Sequence, residues 1–165
     1  MTNEAVLSEI QSKFGDKIIA HSEEYGMLIL EILSDANVEI MQYIKENASC
    51  KMTFLTTLCG IHYPEKSGKE LCVMYQLHNM EINYRLRLKA YIPISNPKIK
   101  SVSGLFASAN WQERQEFDFY GIEFEGHPDL RRILNMDEMD YFPMRKEYKL
   151  EDGTREDKED KFFGR

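Results

Sequence analysis

The stretch "INYRLRLKAYI", residues 82–92, alternates without a break: Ile82, Tyr84, Leu86, Leu88, Ala90 and Ile92 fall on one side, and Asn83, Arg85, Arg87 and Lys89 on the other. Successive side chains of a strand point to opposite faces, so this period of two predicts a β-strand with one buried and one wet face. That is the habit of an antiparallel sheet covered on a single side, and the basic outer face reads as a solvated surface. Upstream, after a tight turn at Asn79–Glu81, Leu71, Val73, Tyr75 and Leu77 alternate in the same way. "HYPEKSGKE" is a loop marked by Pro64 and Gly68, and before it Met52, Phe54, Thr56 and Leu58 alternate with Thr53, Leu55 and Thr57.

Further toward the N-terminus the period changes to helical. Leu7, Ile10 and Phe14 share a face over residues 3–14, stopped by Gly15 and Asp16. Lys17–His21 and Met27–Ile32 read as short strands around a turn at Glu23–Gly26. Ser34 and Asp35 are N-cap candidates for a helix to about Asn47, with Val38, Ile40, Met41 and Ile44 facing the core. Downstream of residues 82–92, "PISNPKIK" reads as a connector. A helix follows, expected in two parts broken near Asn110, where Asn110 and Glu113 have capping-box spacing. Trp111, Arg114 and Asp118 lie close together on it, Arg114 and Asp118 are spaced to pair, and Gly121 is the natural residue to end it.

The fold class is therefore α/β (α+β): one domain over residues 1–120, with a mixed, mostly antiparallel sheet packed by helices. Residues 121–165 show no sustained period, and they recur in turn residues and mixed charge, as in "EDGTREDKEDKFFGR". Such a segment lacks the apolar content to fold alone and reads as an extended arm.

Chemistry is bounded by what is present. The 165 residues carry a net charge of −7 with a pI near 5.2, which argues against nucleic acid as partner. No stretch approaches the roughly 18 apolar residues needed to span a bilayer, and "MTNEAVLSEI" lacks the pattern of a signal peptide. Cys50, Cys59 and Cys72 show no C-x-x-C spacing and read as small residues buried in strands, and His21, His62, His78 and His127 do not share a helical face. No glycine-rich phosphate loop or nucleophile elbow occurs. His127, Asp129, Glu113 and Asp118 can be written as an acid–base set, with His127 as the base of a stand-alone enzyme. The nearby Arg114, Arg131, Arg132 and Arg145 favour instead an ion-pair network that fixes the arm. Tyr141, Phe142, Arg145, Tyr148, Phe162 and Phe163 are residue types that anchor protein interfaces.

At "ANWQERQEFDFYGIEFEGHPDLRRIL" and "FPMRKEYKL" the sequence resembles the signature of the thirty-kilodalton subunit of respiratory NADH:quinone oxidoreductase (complex I). Glu113, Arg114, Asp118, Phe119, Tyr120, His127, Arg131, Ile133 and Leu134 fall in register with it, and Pro143, Arg145 and Lys146 resemble its downstream element. Gln115 stands where the family has Glu and Met144 where it has Leu, while Thr57 and His62 stand where it usually has Asp. The resemblance covers residues 50–150 well and the N-terminal part weakly.

It implies a non-catalytic scaffold in the peripheral quinone module, on the cytoplasmic face of the inner membrane, packed on the large quinone-binding subunit with the C-terminal arm wrapping that neighbour. It implies no cofactor on this chain, and FMN, iron–sulfur clusters and quinone on its companions. The residues it singles out as signature and partner interface are Glu113, Arg114, Asp118, His127, Asp129, Arg131, Arg132, Arg145 and Lys146. Energy-converting membrane hydrogenases and related dehydrogenases use homologous subunits with the same signature. What copurifies, a flavin module or a nickel–iron centre, separates the two parents.

Overall fold

The alternation at residues 82–92 is realised at the centre of the molecule. The computed structural model describes residues 1–46, 49 and 51–148. In chain order the elements are α1 (Asn3–Phe14), β1 (Ile18–Glu24), β2 (Met27–Ile32), α2 (Asn37–Glu46), β3 (Phe54–His62), β4 (Leu71–Asn79), β5 (Tyr84–Ile92), β6 (Lys98–Lys100), α3 (Ala109–Tyr120) and β7 (Glu123–Glu125). The five long strands form one sheet in the order β1-β2-β5-β4-β3, and β6 and β7 form a small second one. Only β2 and β5 in the large sheet run parallel, so the sheet is mixed and the domain is α+β.

Leu86, Leu88, Ala90 and Ile92 of β5 are fully buried and join Leu71, Val73, Tyr75 and Leu77 of β4 beneath the helices. Val6, Ile10 and Phe14 of α1 and Ile40, Met41 and Ile44 of α2 close this side. Burying such side chains contributes about 1.5–3 kcal/mol each, the main driving force for the fold. On the opposite side Arg87 donates from Nε to Gln76 Oε1 at 3.1 Å, and Arg85 is exposed.

Several sequence expectations shift by one local device. The period puts Phe54 and Leu58 on one face and Leu55 on the other, but the register slips between Leu55 and Thr57, which puts Leu55 and Leu58 on the same buried face and leaves Phe54 exposed. Ile82 belongs to the central strand by period alone. Asn79 Oδ1 accepts from the Glu81 and Ile82 N–H groups at 2.9 and 3.2 Å, so the turn consumes residues through Asn83 and exposes Ile82. Ser34 and Asp35 lie in a short 3-10 turn, Ser34–Ala36, and no side chain caps it. Val6 rather than Leu7 completes the buried face of α1.

The expected connector contains β6, which pairs parallel with β7, because Ile99 and Phe124 both reach the core. A three-residue strand is too short to leave a readable period. The interrupted helix is instead the single α3, preceded by turns over Val102–Ala109. Gly121 does end it, at φ 70° with its N–H on Phe117 O. Cys59 is half-buried and Cys72 buried, both in strands as expected, whereas Cys50 and residues 149–165, with Phe162 and Phe163, lie outside the described residues.

Candidate functional site

The helix α3 buries Glu113, Arg114, Glu116 and Asp118 on the two sides it presents to the protein. A helix with four buried charges is held by partners rather than by apolar area, since an unpaired buried charge costs several kcal/mol.

One side faces the sheet edge. β3 is an edge strand, and its free N–H groups need acceptors. Gly60 donates to Glu116 Oε2 at 2.6 Å, Leu58 donates to Gln112 Oε1, and Ser108 Oγ donates to Leu55 O at 3.2 Å. A Cβ at Gly60 would stand 2.7 Å from the Tyr120 ring and 2.8 Å from Glu116, so only glycine allows this approach. Burial pushes the Glu116 carboxyl up to about 7, against the Gly60 and Gln115 donors.

The N-terminal half of α3 is tied to the preceding loop. Glu113 does not close a capping box with Asn110. Its Oε1 accepts from Val102 N–H at 2.7 Å and its Oε2 from Ser101 Oγ at 2.6 Å. Burial raises this carboxyl to about 7 as well, partly offset by those two donors. The His127 side chain is fully buried beside it, with Nε2 4.0 Å from Glu113 Oε2. His127 Nδ1 accepts from Asp129 N–H at 3.0 Å, which leaves the proton on Nε2 to donate to Asn110 O at 2.9 Å. Both ring nitrogens are spent on backbone groups, so the ring offers no free nitrogen to a substrate. The geometry is that of a clip between α3 and the returning chain.

The other side of α3 grips residues 131–146. Asp118 Oδ2 accepts from the N–H groups of Ile133, Leu134 and Asn135 at 3.1, 2.8 and 2.9 Å, and Oδ1 from Asn135 Nδ2 at 3.0 Å and Arg132 Nη1 at 2.7 Å. Burial opposes ionisation here, yet the amide donors and Arg132 together hold this carboxyl well below the usual range. Arg114 stacks on Trp111 at 5.1 Å and donates to the Arg131 and Arg132 carbonyls at 3.2 Å each. The expected Arg114–Asp118 pair is thus replaced by two separate grips on the returning chain.

A helix leaves its last four carbonyls without intrahelical donors. Here each one is met: Phe117 O by Gly121 N–H, Asp118 O by Arg132, Phe119 O by Met144 N–H and Tyr120 O by Arg145 Nε. Two of these donors are cations, which also suits the negative end of the helix dipole. The Phe142 ring lies beneath both guanidinium groups, 5.3 Å from Arg132 and 4.7 Å from Arg145. At the end of β3, the Lys146 N–H donates to buried His62 Nδ1 at 3.0 Å, an acceptor role that an Asp there would fill equally.

Of the nine residues that the signature singles out, Glu113, Arg114, Asp118, His127, Arg132 and Arg145 meet in this joint. Asp129 offers its N–H to it, and Lys146 contributes its backbone N–H. The Arg131 side chain stays outside, in an exposed pair with Asp129 at 3.0 Å, and only its carbonyl takes part. Gly60, Glu116, Asn135 and Phe142 also belong to the joint, beyond the signature. The glycine inside a strand is the one readable signal among them. Among the described residues no group of His, Cys, Asp or Glu is placed to hold a metal ion, and no helix is long and apolar enough to cross a membrane.

Residues 30–154 match the family model described as respiratory-chain NADH dehydrogenase, 30 Kd subunit. The chain is 36% identical over 142 residues to an NADH-quinone oxidoreductase subunit of this type from Rhizobium etli, covering 86% of this chain and 74% of that one. It is 35% identical over 155 residues to the corresponding NADH-quinone oxidoreductase subunit of Trichlorobacter lovleyi, covering 94% of each. Among solved structures, a trypsin-resistant fragment of Nqo5 superposes with a TM-score of 0.66 at 29% identity, over 79% of this chain and all of that one. A chain of an archaeal membrane-bound sulfane sulfur reductase superposes with a TM-score of 0.75 over 89% of this chain and 85% of that one, at 21% identity, and shares its fold. With the matched residues taking in β3, β4, β5 and the whole joint, this chain belongs to the 30 kDa subunit family of respiratory-chain NADH-quinone oxidoreductase.

Proposed function

We propose that this chain is a non-catalytic scaffold of the peripheral quinone module of a proton-pumping NADH:quinone oxidoreductase. It docks on the large quinone-binding subunit through residues 121–165, an arm on the body formed by residues 1–120 whose root, Ile122 and Phe124, is packed into the core of that body. The observation that carries this reading is the complete capping of the α3 C-terminus by the returning chain. Polar groups and the Phe142 ring lock residues 131–146 to the body from inside, while other large apolar side chains of residues 134–148 point outward. Leu134, Met136, Tyr141, Met144 and Tyr148 are exposed, beside the exposed Trp111. A polar interior with an apolar exterior is the arrangement expected of a surface that another protein covers.

In this role the chain holds no flavin, cluster or quinone. FMN, iron–sulfur clusters and quinone belong to its companions, and the complex places the chain on the cytoplasmic face of the membrane as a peripheral subunit. The name of the solved relative supports the division, since a trypsin-resistant body was separable in that protein.

The test is a photo-cross-linking residue in place of Met144 in the complex from native membranes, followed by mass spectrometry of the adduct. The expected product joins this chain to the large quinone-binding subunit. Adducts to other proteins alone would reject the assignment. Arg132→Ala should lose assembly and quinone reduction together, and a variant that assembles fully yet has no turnover would restore a direct catalytic role.

A further inference from the structure

We infer that the opposite end of the sheet from the arm is a second docking surface, built for another protein subunit that presents an apolar hollow with a basic rim. The strand register places the residues. Phe54 pairs with His78, His78 with Arg85, and Met27 with Glu24, so the start of β3, the end of β4 and the starts of β2 and β5 share one edge row. Just beyond that row lie the β1–β2 turn at Tyr25–Gly26 and the β4–β5 turn at Met80–Asn83. The start of α1 is tied to the same end, for Asn3 Nδ2 donates to Gly26 O at 3.2 Å and Tyr84 Oη donates to Asn3 Oδ1 at 2.8 Å.

Four large apolar side chains crowd this end in the open. Tyr25 is 103% exposed, Met80 63%, Ile82 51% and Phe54 46%. Single exposed apolar residues are ordinary, but four spread along one end of the five-stranded sheet, on its turns and strand ends, make that end unusually apolar, and exposed apolar surface of this kind marks binding sites. The last described part of the arm meets the protein at His62, the other end of β3, through the Lys146 N–H. A nine-residue strand separates that contact from this end by roughly 25 Å.

Tyr25 adds a second observation. It and Gly26 both have positive φ, 54° and 74°, as tight hairpin turns require. Asn, Asp or Gly adopt that backbone easily, whereas a tyrosine does so at a steric cost. With its whole ring in solvent, Tyr25 recovers nothing from the described residues for that cost. A tyrosine fixed at a rigid turn is suited to anchoring an interface.

Charge selects the partner. Glu4, Glu23, Glu24 and Glu81 surround the patch, against Lys51 and Arg85. The acidic excess repels anionic lipid headgroups and complements Lys and Arg on a protein rim.

The experiment places photo-cross-linking benzoylphenylalanine in place of Tyr25, and separately in place of Met144, in the complete complex from native membranes. The expected result is a position-25 adduct with a protein subunit. In addition, Tyr25→Asn and Ile82→Glu should lower copurification of this chain with that subunit by about tenfold, the scale of losing an interface anchor. Tyr25→Asn should leave the denaturant midpoint of the isolated full chain equal or higher, because the turn is relieved. Position-25 adducts to lipid alone, to a second copy alone or to this chain alone, no adduct at all, or unchanged copurification of both variants would overturn the inference. A cross-link at 144 without one at 25 sinks this surface and leaves the arm reading, and the reverse result sinks the arm reading alone.

Discussion

Asp118 and Arg132 are fourteen positions apart in sequence and 2.7 Å apart in space, and their contact joins the last turn of α3 to the chain that returns over it. The carboxylate takes three consecutive backbone N–H groups with its other oxygen. The guanidinium reaches on to the carbonyls of Met139 and Tyr141 at 2.7 and 3.2 Å. Through these two side chains the order of residues 133–141 depends on the helix.

Asp118→Asn tests that dependence with little change of shape. The amide keeps one acceptor oxygen but turns its Nδ2 toward a donor, either the three backbone N–H groups or Arg132. Breaking a buried pair from one side costs about 3–5 kcal/mol. Urea denaturation of the full chain should show a loss of this size, and limited proteolysis should cut within residues 133–141 before the sheet opens. Equal protease resistance of variant and wild type would contradict the role given to Asp118.

The pH profile carries a second prediction, with opposite signs in one helix. Glu113 and Glu116 have ordinary values near 4.5 and folded values of about 7. The folded state therefore binds more protons than the unfolded state in that window, and stability falls as pH rises through it. Their contribution is fully present below about 4.5 and gone above about 7, on the order of 3 kcal/mol for each group. Asp118 is shifted downward, so its contribution is present above about 4 and is lost only as pH falls further. Denaturant midpoints should therefore rise from pH 8 to pH 5 and fall in stronger acid. Glu113→Gln, whose oxygen still accepts from Val102 N–H while its new amide group donates to Ser101 Oγ, should remove about one proton from the slope and equal or exceed wild-type stability at pH 8.

How much of this is legible in the sequence follows the length of each pattern. Nine-residue strands such as β4 and β5 repeat their period often enough to fix face and partner, so Leu71, Val73, Tyr75, Leu77, Leu86 and Leu88 reveal themselves as core from sequence. The bulge at Leu55–Thr57 inverts part of β3 without altering composition, and nothing local announces it. The three residues of β6 and of β7 give no period at all. Asp118 and Arg132 can be named as members of one network, but their pairing requires the course of the chain between them. Arg114 shows the same limit: the i, i+4 rule offers Asp118, and the returning backbone at Arg131 and Arg132 supplies better acceptors.

Gly60→Ala probes the seam between α3 and the sheet edge. The added methyl would meet the Tyr120 ring at 2.7 Å and Glu116 Oε2 at 2.8 Å, so the helix must shift. Overpacking of this kind costs about 1–3 kcal/mol. Hydrogen exchange at the Leu58 and Gly60 amides should quicken, because their acceptors Gln112 and Glu116 move away. Gly104→Ala, where a Cβ meets nothing within 4 Å, is the matched control and should leave both amides unchanged.

Arg131 and Arg132 are adjacent and chemically alike, and the structure separates them sharply. Among the described residues the Arg131 side chain, 70% exposed, meets only Asp129 in solvent, where ion pairs contribute about 0–1 kcal/mol. Its carbonyl serves Arg114, and alanine retains that carbonyl. Arg132 is 10% exposed, touches Asp118 and spans two carbonyls beyond it. Arg131→Ala should therefore change stability by less than about 1 kcal/mol, while Arg132→Ala should cost about 3–5 kcal/mol, because it leaves the buried Asp118 carboxylate without its cation and with amide donors alone. The double variant Asp118→Ala with Arg132→Ala should lose less than the sum of the two single losses, because each single change strands the other partner. Equal effects at 131 and 132, or strict additivity in the cycle, would show that the joint does not hang on this contact.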